Sequence, residues 1–482
     1  MGFFKAYDMR GTFGVDFDLD TVTKIGEALP KVVVGSNHPP RWLVAHDTRL
    51  TSDDINAALK NGLEAAGAQI TDLGLATTPM VYFFTAEDDY DGSVMITASH
   101  NPPSDNGLKV SKKNALPVGY SSGLKEVEEL VTGSESSGAL RACSESSGAL
   151  RACSESSGAL RACSESSGAL RACSESSGAL RQKYIEWQKN ATNPKSFANL
   201  NYAVDCSNGM ISILADSLFK GAELLNSNLD GAFPCHSPNP LAPQAREELA
   251  EFVRSHNLDC GVIFDGDADR AMFIDERGEF VQPDMLIPLV AKACFRALNL
   301  TSGKVIHDIR TSRGVIETLK GMGAEPIMVP VGHAFAKPIL RESGAICGGE
   351  LAGHYYFKEF FSCDSGALAA MRILSEIALA KKEGKSFSQL MNPIISRYAN
   401  SGELNFRIDD KNAALNRVLD AAKKHLPQEI SRSEIDGVRV EFEDGWFNIR
   451  LSNTEPYLRL IVECKSPSLL DEWLDILKKA IG

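Results

Sequence analysis

The sequence lacks long apolar runs. No stretch approaches the ~20 consecutive apolar residues that a membrane-spanning helix requires, and residues 1–10 contain no continuous apolar segment of the kind found in secretory signals. Ala6 stands where an N-myristoylation signal has Ser or Thr. We therefore expect a cytoplasmic protein that does not associate with a membrane.

Positive charge is also in short supply. The 482 residues include 50 Lys and Arg against 63 Asp and Glu, which gives a net charge of −13. Proteins that bind nucleic acids neutralise phosphates with clustered Lys and Arg, so this balance argues against a nucleic-acid partner. Any anionic ligand must be held by a few local groups.

The cysteines show no spacing that indicates a bridge or a metal site. Seven of the 11 form no C-x-x-C pair, and the other four belong to a repeated decapeptide: Cys143, Cys153, Cys163 and Cys173. The sequence therefore predicts neither a disulfide framework nor a zinc site.

One pattern occurs three times: an apolar strand ending near an Asp, a polar loop, an amphipathic helix, a Gly-Ala turn and a second apolar strand. The copies begin with LVAHDTR (43–49), YAVDCSNG (202–209) and VIHDIRTSRG (305–314), and Ser52 is expected to cap the first helix. Strands separated by single helices favour βαβ units, so we expect three related α/β domains with mixed sheets. Ligands of such sheets bind in the loops beyond the strand ends.

The last part of the chain has a different pattern. The alternating segments VRVEF, WFNIRLS and YLRLIVE precede a helical segment, LLDEWLDILKKAI, which predicts a smaller α+β domain. The predicted α/β domains span 1–133, 182–302 and 303–396, and the α+β domain spans 397–482. We expect these four domains to surround a central cleft.

Residues 134–181 separate the first two domains and contain the decapeptide SESSGALRAC four times, followed by SESSGALR. The unit offers only Ala, Leu and Cys for burial, too few for a solenoid repeat. Its Ser- and Gly-rich composition predicts a disordered, flexible linker with no function of its own.

The first candidate motif is SVMITASHNPPSDNGLKV, where a buried strand leads into a loop that contains Ser99 and His100. A hydroxyl at the end of a strand can act as a nucleophile, although an ordinary polar turn also explains the pair. Lys109 follows ten residues after Ser99 and can return to the same loop as an acid/base or phosphate partner.

The second motif is FDGDADR, with Asp265, Asp267 and Asp269 at alternate positions and Arg270 directly after them. Carboxylates this close repel one another unless a cation lies between them, and all-oxygen ligands suit Mg²⁺ or Ca²⁺. An EF-hand is excluded because Arg270 takes the place of its glycine and the flanks resemble strands. We expect a metal site, with a structural surface turn as the alternative.

The third motif is GGELAGH. Gly348 and Gly349 allow a ligand to approach the backbone, and the carboxylate of Glu350 can accept two hydrogen bonds from neighbouring sugar hydroxyls. A glycine turn beside a core histidine, His354, is the alternative.

The fourth motif is WFNIRLSNTEPYLRL. Strand alternation puts Arg450 and Ser452 on one face. The turn of Ser452, Asn453 and Thr454 offers hydroxyls and backbone N–H groups to a phosphate, while Arg450 supplies a bidentate fork and Arg459 a second cation. A solvated strand is the alternative.

Together these motifs resemble the α-D-phosphohexomutase family, in particular its phosphomannomutase/phosphoglucomutase branch. TASHNP resembles the family's phosphoserine loop, DGDADR its metal loop, GGELAGH its sugar-recognition loop and RLSNTEP its phosphate-binding loop, in the family's order. KAYDMRG resembles a segment whose arginine, here Arg10, helps to hold the transferring phosphoryl group. The resemblance covers nearly all of the chain outside the decapeptide repeat.

The resemblance implies an isomerase of carbohydrate metabolism that interconverts hexose 6-phosphate and hexose 1-phosphate, of mannose, glucose or both. A phosphorylated Ser99 and a hexose 1,6-bisphosphate would carry the reaction, and the phosphoserine would bind Mg²⁺ together with Asp265, Asp267 and Asp269. The residues assigned to catalysis are Arg10, Ser99, His100 and Lys109, and those assigned to substrate binding are Arg270, Arg310, His333, Glu350, Arg450, Ser452, Asn453, Thr454 and Arg459. We expect a monomer or weak homo-oligomer whose partner is a small phosphosugar.

Two positions depart from the family's pattern. Arg310 stands where many members have Lys, and Ala352 stands where most have Ser, so one contact to a sugar hydroxyl is missing or made by the backbone. The nearest alternative function is a phosphoglucosamine mutase. From other classes, a phosphatase that works through a phosphoserine and a non-catalytic sugar-phosphate-binding relative stay open.

Overall fold

The computed structural model describes residues 2–34, 39–133, 162–451 and 457–482. The chain forms two compact units, Met1–Trp187 and Gln188–Gly482. Within these described ranges, the first unit contains one sheet and the second contains three. Among the described residues, no helix is both long and apolar enough to cross a membrane.

The first unit is built on a mixed sheet. Its elements are β1 (Met9–Thr12), α1 (Leu19–Leu29), β2 (Arg41–His46), α2 (Ser52–Ala65), β3 (Gln69–Leu75), α3 (Thr78–Glu87), β4 (Gly92–Ile96), β5 (Asp105–Lys112), β6 (Leu116–Pro117), α4 (Leu124–Gly133) and, up to Trp187, α5 (Ala162–Ala191). The strand order is β3-β2-β4-β5-β1, with β6 paired to β5. β2 runs parallel to β3 and β4, whereas β5 is antiparallel to β4 and β1.

The core of this sheet is covered by amphipathic helices. α2 has apolar residues four positions apart, Ile55, Leu59 and Leu63, and all three are buried in the core. α1 and α2 approach closely at Gly62, where a Cβ atom would lie 2.0 Å from the carbonyl oxygen of Thr23. A glycine is therefore required at this helix contact.

The second unit begins with two further mixed sheets. The first of them contains β7 (Tyr202–Asp205), α6 (Ser212–Leu218), β8 (Glu223–Leu225), α7 (Glu247–Ser255), β9 (Cys260–Phe264), β10 (Ala271–Asp275) and β11 (Phe280–Val281). After α8 (Ile287–Ala297), the next contains β12 (Gly303–Asp308), α9 (Arg313–Gly321), β13 (Ala324–Val329), α10 (His333–Ser343), β14 (Cys347–Gly349), β15 (Tyr355–Phe357) and β16 (Cys363–Asp364), followed by α11 (Gly366–Lys382) and α12 (Phe387–Ile395).

The three mixed sheets share one topology. Their orders are β3-β2-β4-β5, β8-β7-β9-β10 and β13-β12-β14-β15. In each copy the first strand lies between the second and third and parallel to both, and the fourth is antiparallel to the third. The prediction of three related α/β domains with mixed sheets is therefore confirmed.

The last sheet is entirely antiparallel. It contains β17 (Ala399–Asn400), β18 (Leu404–Arg407), β19 (Ser431–Ser433), β20 (Val438–Glu441), β21 (Gly445–Leu451) and β22 (Tyr457–Cys464), and its helices are α13 (Lys411–His425) and α14 (Pro467–Ile481). The order is β17-β22-β21-β20-β19, with β18 also paired to β22. Phe447 and Ile449 of β21 pack with Trp473 of α14 in one core, which confirms the α+β domain.

One helix lies across a predicted boundary. The sequence places residues up to 302 in the second domain, but α8 packs against α11 and β14. Arg296 of α8 forms an ion pair with Glu376 of α11. α8 therefore belongs with the third sheet, because its partners follow it in the sequence.

The end of the decapeptide repeat is helical, where the sequence predicts a flexible linker. Residues 134–161 lie outside the described residues, but α5 runs through the last copies of the repeat. Ala, Leu and Arg are strong helix formers and the repeat has no proline, which explains the helix. Tyr184 and Trp187 of α5 contact Phe83 at ring-centroid distances of 5.4 and 5.5 Å. Residues 182–187, predicted to open the second domain, thus lie in the first unit.

Candidate active site

Three of the predicted motifs occupy equivalent loops of the three related sheets. In each copy the loop follows the third strand: residues 97–104 after β4, 265–270 after β9 and 350–354 after β14. Each loop contains a residue with positive φ, namely Ser99 at 51°, Ala268 at 61° and Gly353 at 89°. The repeated topology thus gives the candidate nucleophile, the acidic cluster and the sugar-recognition loop the same place in their respective domains.

Ser99 is held in a buried loop of the first unit and is 3% exposed. Its backbone N–H donates to Thr97 Oγ1 at 2.8 Å, and its Oγ lies 3.2 Å from His100 Nδ1. A neighbouring imidazole can accept the proton of a hydroxyl. The local geometry is therefore compatible with a nucleophilic serine.

Two predicted cations lie on one face of the same sheet. Arg10 of β1 is opposite Gly107 of β5, two residues before Lys109, so the side chains of Arg10 and Lys109 leave the same face. Arg10 donates to Asn101 Oδ1 at 2.9 Å and to Asp8 Oδ2 at 2.6 Å. Arg10 thus contacts the Ser99 loop directly. Lys109 is buried and lies on β5, two residues beyond the position opposite Arg10.

The acidic cluster lies in the second unit and is fully buried. Carboxylate oxygens of Asp265, Asp267 and Asp269 all lie within 4.8 Å of one another. Three buried carboxylates at this spacing need positive charge, and their oxygens suit a hard divalent cation. The donor set therefore fits Mg²⁺.

Arg270 supplies part of that charge. Its Nε lies 2.8 Å from Asp265 Oδ2, and its backbone N–H donates to Asp265 Oδ1. Arg270 also forms an isolated β-bridge with His354. The predicted substrate-binding arginine is therefore a link between the acidic loop and the sugar-recognition loop.

The sugar-recognition loop presents Glu350 and His354. Tyr356 donates its hydroxyl hydrogen to Glu350 Oε1 at 2.5 Å, and burial raises the pKa of the Glu350 carboxyl above its ordinary value. His354 Nδ1 lies 2.7 Å from Asp364 Oδ2 and 3.7 Å from Asp269 Oδ1. Burial lowers the pKa of His354, but the two aspartates outweigh this effect and raise it.

Two residues near His354, Lys337 and Asp364, were not predicted from the sequence, whereas His333 was. Lys337 Nζ lies 2.8 Å from Asp364 Oδ1 with both side chains buried, and Lys337 and His354 hold the pKa of Asp364 far below its ordinary value although burial raises it. His333 begins α10, and its ring lies 5.9 Å from that of His354. Lys337 follows His333 by one helical turn, a spacing that could have indicated a shared face.

Three arginines that the sequence assigns to substrate binding converge on Glu403, a residue without a motif. The distances to its carboxylate oxygens are 3.3 Å from Arg310 Nη1, 2.9 Å from Arg450 Nη2 and 3.2 Å from Arg459 Nη1. Burial alone would raise the pKa of Glu403, but these arginines lower it to about 2. The second unit therefore contains an ionised carboxylate surrounded by guanidinium groups.

The strand that carries Arg450 is not a solvated strand. Trp446 and Arg450 are buried, and the guanidinium of Arg439 lies 3.5 Å from the Trp446 ring centroid. Arg439 donates to the carbonyl oxygens of Ile309 and Thr311, so this face is covered by the third domain. The predicted phosphate-binding turn, Ser452, Asn453 and Thr454, lies outside the described residues.

Four sequence profiles match the chain in order. They are described as phosphoglucomutase/phosphomannomutase alpha/beta/alpha domain I (residues 1–137), domain II (182–278), domain III (282–398) and C-terminal domain (403–480). Together with the fold, they define a mutase, which is an isomerase.

Relatives match along nearly the whole chain. A phosphomannomutase of Escherichia coli (strain K12) is 31% identical over 472 residues, which cover 96% of this chain and 94% of that protein. A phosphomannomutase of Vibrio cholerae serotype O1 is 32% identical over 489 residues, with coverages of 99% and 98%. The crystal structure of a phosphoglucomutase/phosphomannomutase family protein from Burkholderia thailandensis superposes with a TM-score of 0.76 at 26% identity, covering 99% of this chain and 96% of that one. The chain belongs to the phosphoglucomutase/phosphomannomutase family.

Proposed function

We propose that this mutase interconverts hexose 6-phosphate and hexose 1-phosphate, with mannose, glucose or both as the sugar, through phospho-Ser99 and a hexose 1,6-bisphosphate. The observation that carries the proposal is the contact between the acidic cluster and the sugar-recognition loop in the second unit. Asp269 Oδ1 lies 3.7 Å from His354 Nδ1, and Arg270 bridges to the backbone of His354. A metal on the carboxylates would adjoin residues suited to bind sugar hydroxyls.

The proposed reaction moves one phosphoryl group in each half. The free O1 or O6 of the sugar attacks the phosphorus of phospho-Ser99, and the P–Oγ bond breaks. The sugar hydroxyl gives up its proton to a base, a role that we assign to Lys109, while the departing Ser99 Oγ takes up a proton from His100, whose Nδ1 lies 3.2 Å away. Arg10 helps to hold the phosphoryl group through its place beside the loop. After the bisphosphate turns over, the reverse step returns its other phosphate to Ser99.

The second unit would supply binding and charge. Asp265, Asp267 and Asp269 would hold Mg²⁺, which when bound offsets negative charge on the phosphoryl oxygens. Glu350 would accept hydrogen bonds from sugar hydroxyls, and His333 would help to position the substrate. The phosphate that is not transferred would bind Arg310, Arg450 and Arg459 together with the turn 452–454. The proposal includes a cytoplasmic monomer or weak homo-oligomer.

The test compares Ser99→Ala with Ser104→Ala, an exposed serine of the same loop. Ser99→Ala should lose nearly all turnover, because the carrier hydroxyl is gone, whereas Ser104→Ala should keep it. Intact-mass measurement of the wild type should find about 80 Da of added phosphoryl group, absent from the Ser99→Ala variant. A fully active Ser99→Ala variant would contradict the proposal.

Substrate choice is tested in parallel. Turnover of mannose 1-phosphate, glucose 1-phosphate and glucosamine 1-phosphate is measured together with the release of inorganic phosphate. Isomerisation of the first two without phosphate release supports the proposal. Preference for the glucosamine compound would indicate a phosphoglucosamine mutase, and stoichiometric phosphate release would indicate a phosphatase.

A further inference from the structure

Arg49, in the loop that follows β2, is bonded to the backbone of the Ser99 loop. Its Nη1 donates to the carbonyl oxygens of Pro102 at 2.7 Å and Asp105 at 2.9 Å. Its Nη2 donates to those of Ser99 at 2.9 Å and Asn101 at 2.7 Å. These four bonds account for all four N–H groups on the two Nη atoms. The two Nη atoms of Arg49 therefore bind backbone carbonyl oxygens and have no N–H group left to donate to a phosphate.

The loop needs such support because of the conformation of Ser99. Its φ of 51° lies in the left-handed region, where a residue with a Cβ is sterically strained. Such conformations persist only where the surroundings hold them. Two of the four carbonyls bound by Arg49 belong to Ser99 itself and to Asn101, on either side of His100. The arginine thus fixes the backbone that aims Ser99 Oγ.

Arg49 is itself held firmly. It is 3% exposed, and its Nε lies 3.2 Å from Asp47 Oδ2. Asp47 Oδ1 accepts hydrogen bonds from the Arg49 backbone N–H and from Ser52 Oγ, and Asn106 Nδ2 donates to Ser52 Oγ. The network connects the end of β2, the start of α2 and the start of β5 around the loop.

The equivalent residues of the other domains do not make this clamp. In the third domain Arg310 follows Asp308 in the same way but donates to Asp308 and Glu403. In the second domain the position holds Ser207, whose Oγ donates to the carbonyl oxygen of Phe264 at 2.6 Å. Of these three residues, Arg49 alone donates to the loop after the third strand at several points, with three bonds to the loop and a fourth to Asp105, the first residue of β5.

We propose that Arg49 is a positioning residue for phosphoryl transfer at Ser99, acting through the backbone of residues 99–105. This inference rests on the proposed role of Ser99 as the phosphoryl carrier. Because a misplacement of about 1 Å can cost 10²-fold in rate, loosening the loop should slow transfer in both directions. Ground-state binding of the phosphosugar should change little, since no donor of the Arg49 fork is left for the substrate.

The main variants are Arg49→Lys, which keeps the charge but cannot form the four-bond fork, and Arg49→Met, which removes both. We expect kcat to fall about 10-fold to 100-fold for Arg49→Lys and further for Arg49→Met, with KM within about threefold of the wild type. After removal of the phosphate from Ser99, rephosphorylation by glucose 1,6-bisphosphate, followed by intact mass, should slow by the same factor as kcat.

The control is Arg246→Lys, because Arg246 also donates to loop carbonyl oxygens, those of Pro240 and Leu241, away from the predicted motifs. Arg246→Lys should leave kcat and the rephosphorylation rate within twofold of the wild type, whatever it does to the melting temperature. If Arg49→Met does not fold, Arg49→Lys alone decides. A kcat within twofold of the wild type for Arg49→Lys overturns the proposal, as does a loss expressed in KM alone or a rephosphorylation rate that stays normal.

Failure of the proposed function would look different. Wild-type protein would then carry no phosphate on Ser99 after incubation with the bisphosphate, and Ser99→Ala would stay active. The positioning role of Arg49 is overturned on its own when wild-type Ser99 is phosphorylated but Arg49→Lys keeps a normal kcat, keeps a normal rephosphorylation rate or changes KM alone.

Discussion

The first and third domains contain the same sequence, His-Asp-x-Arg, at the ends of β2 and β12, and use its arginine differently. In both turns the Asp carboxylate accepts the backbone N–H of the arginine, at 3.0 Å in Asp47 and 2.7 Å in Asp308. The histidine Nδ1 lies 2.9 Å from the Asp47 carbonyl oxygen in one turn and 3.0 Å from that of Asp308 in the other. The two His-Asp-x-Arg segments are therefore held by the same two hydrogen bonds in both domains.

The difference comes from what lies next to each turn. The Ser99 loop has eight residues between β4 and β5, and Arg49 binds its carbonyls. The corresponding loop between β14 and β15 has five residues and is held by Asp308, whose Oδ2 accepts the Leu351 N–H at 2.9 Å. Arg310 is then available to Glu403 from the segment between β17 and β18. The arginine of this repeated sequence thus binds loop carbonyl oxygens in one domain and belongs to the arginine cluster around Glu403 in the other.

The largest loss of activity is expected from a substitution in the second domain, which lies between the first and third domains in the sequence. Asp267→Asn should lower kcat at least about 10³-fold, because one carboxylate of the metal site is lost, while the fold keeps its stability as like-charge repulsion is relieved. Asp216→Asn, at an exposed position of the same domain, is the control. EDTA should reproduce the effect in the wild type, and activity that survives exhaustive chelation would show that the metal assignment is wrong.

Arg310→Ala should separate the two arginines of the repeated turn. Loss of a guanidinium from the cluster around Glu403 should raise KM for the phosphosugar about tenfold or more, with a smaller change in kcat. This is the opposite of the kcat-only loss expected for Arg49→Lys. Arg397→Ala, a half-exposed arginine paired with Glu317, is the control in the same assay. Equal kcat losses at positions 49 and 310 would remove the distinction between them.

Glu403→Gln tests whether the carboxylate competes with the phosphate for the arginines. We expect KM to fall about twofold to tenfold, since one negative charge leaves the cluster, and the melting temperature to fall because buried guanidiniums lose their partner. Both are measured on one preparation, with exposed Glu434→Gln as the control. A raised KM would show instead that Glu403 arranges the arginines for the phosphate.

The smallest effect is expected from removing residues 134–173, four copies of the decapeptide. The contacts of α5 described above come from Tyr184 and Trp187, which stay in place. Shortening a connection changes loop-closure entropy only logarithmically, so kcat and KM should stay within about twofold. Loss of activity in a folded deletion variant would assign a function to the repeat.

Much of the fold could be predicted from the sequence because its signals are local and repeated. The strand–helix–strand pattern recurs three times, which predicts the three mixed α/β sheets. In the last domain apolar and polar residues alternate along the strands, which predicts the sheet of an α+β domain. The predicted Ser52 cap was wrong: the cap position is Thr51, and Ser52 Oγ donates to Asp47 instead. The Ser52 hydroxyl donates to the carboxylate of Asp47, five residues earlier, and the preference of serine for N-cap positions does not take such a competing acceptor into account.

The partners of the site residues could not be predicted, because they come together only through the fold. Glu403 has no motif around it and meets arginines that lie 93, 47 and 56 residues away. Arg49 ends the segment LVAHDTR, the first copy of the repeated pattern, but only the pairing of β4 with β5 places four carbonyl oxygens around it. A signal for both arginines was present in the sequence: HDTR (46–49) and HDIR (307–310) match, and each ends in an arginine, Arg49 and Arg310.

Phosphopeptide mapping of the wild-type protein tests the central claim most directly. The protein is incubated with glucose 1,6-bisphosphate, digested, and the peptide that spans residues 94–109 is sequenced by mass spectrometry. The account predicts one phosphoryl group, on Ser99. Added hexose 6-phosphate or hexose 1-phosphate, in excess, should remove this group and be converted to the bisphosphate. A phosphate on another residue, or a phospho-Ser99 that the phosphosugar does not remove, would contradict it.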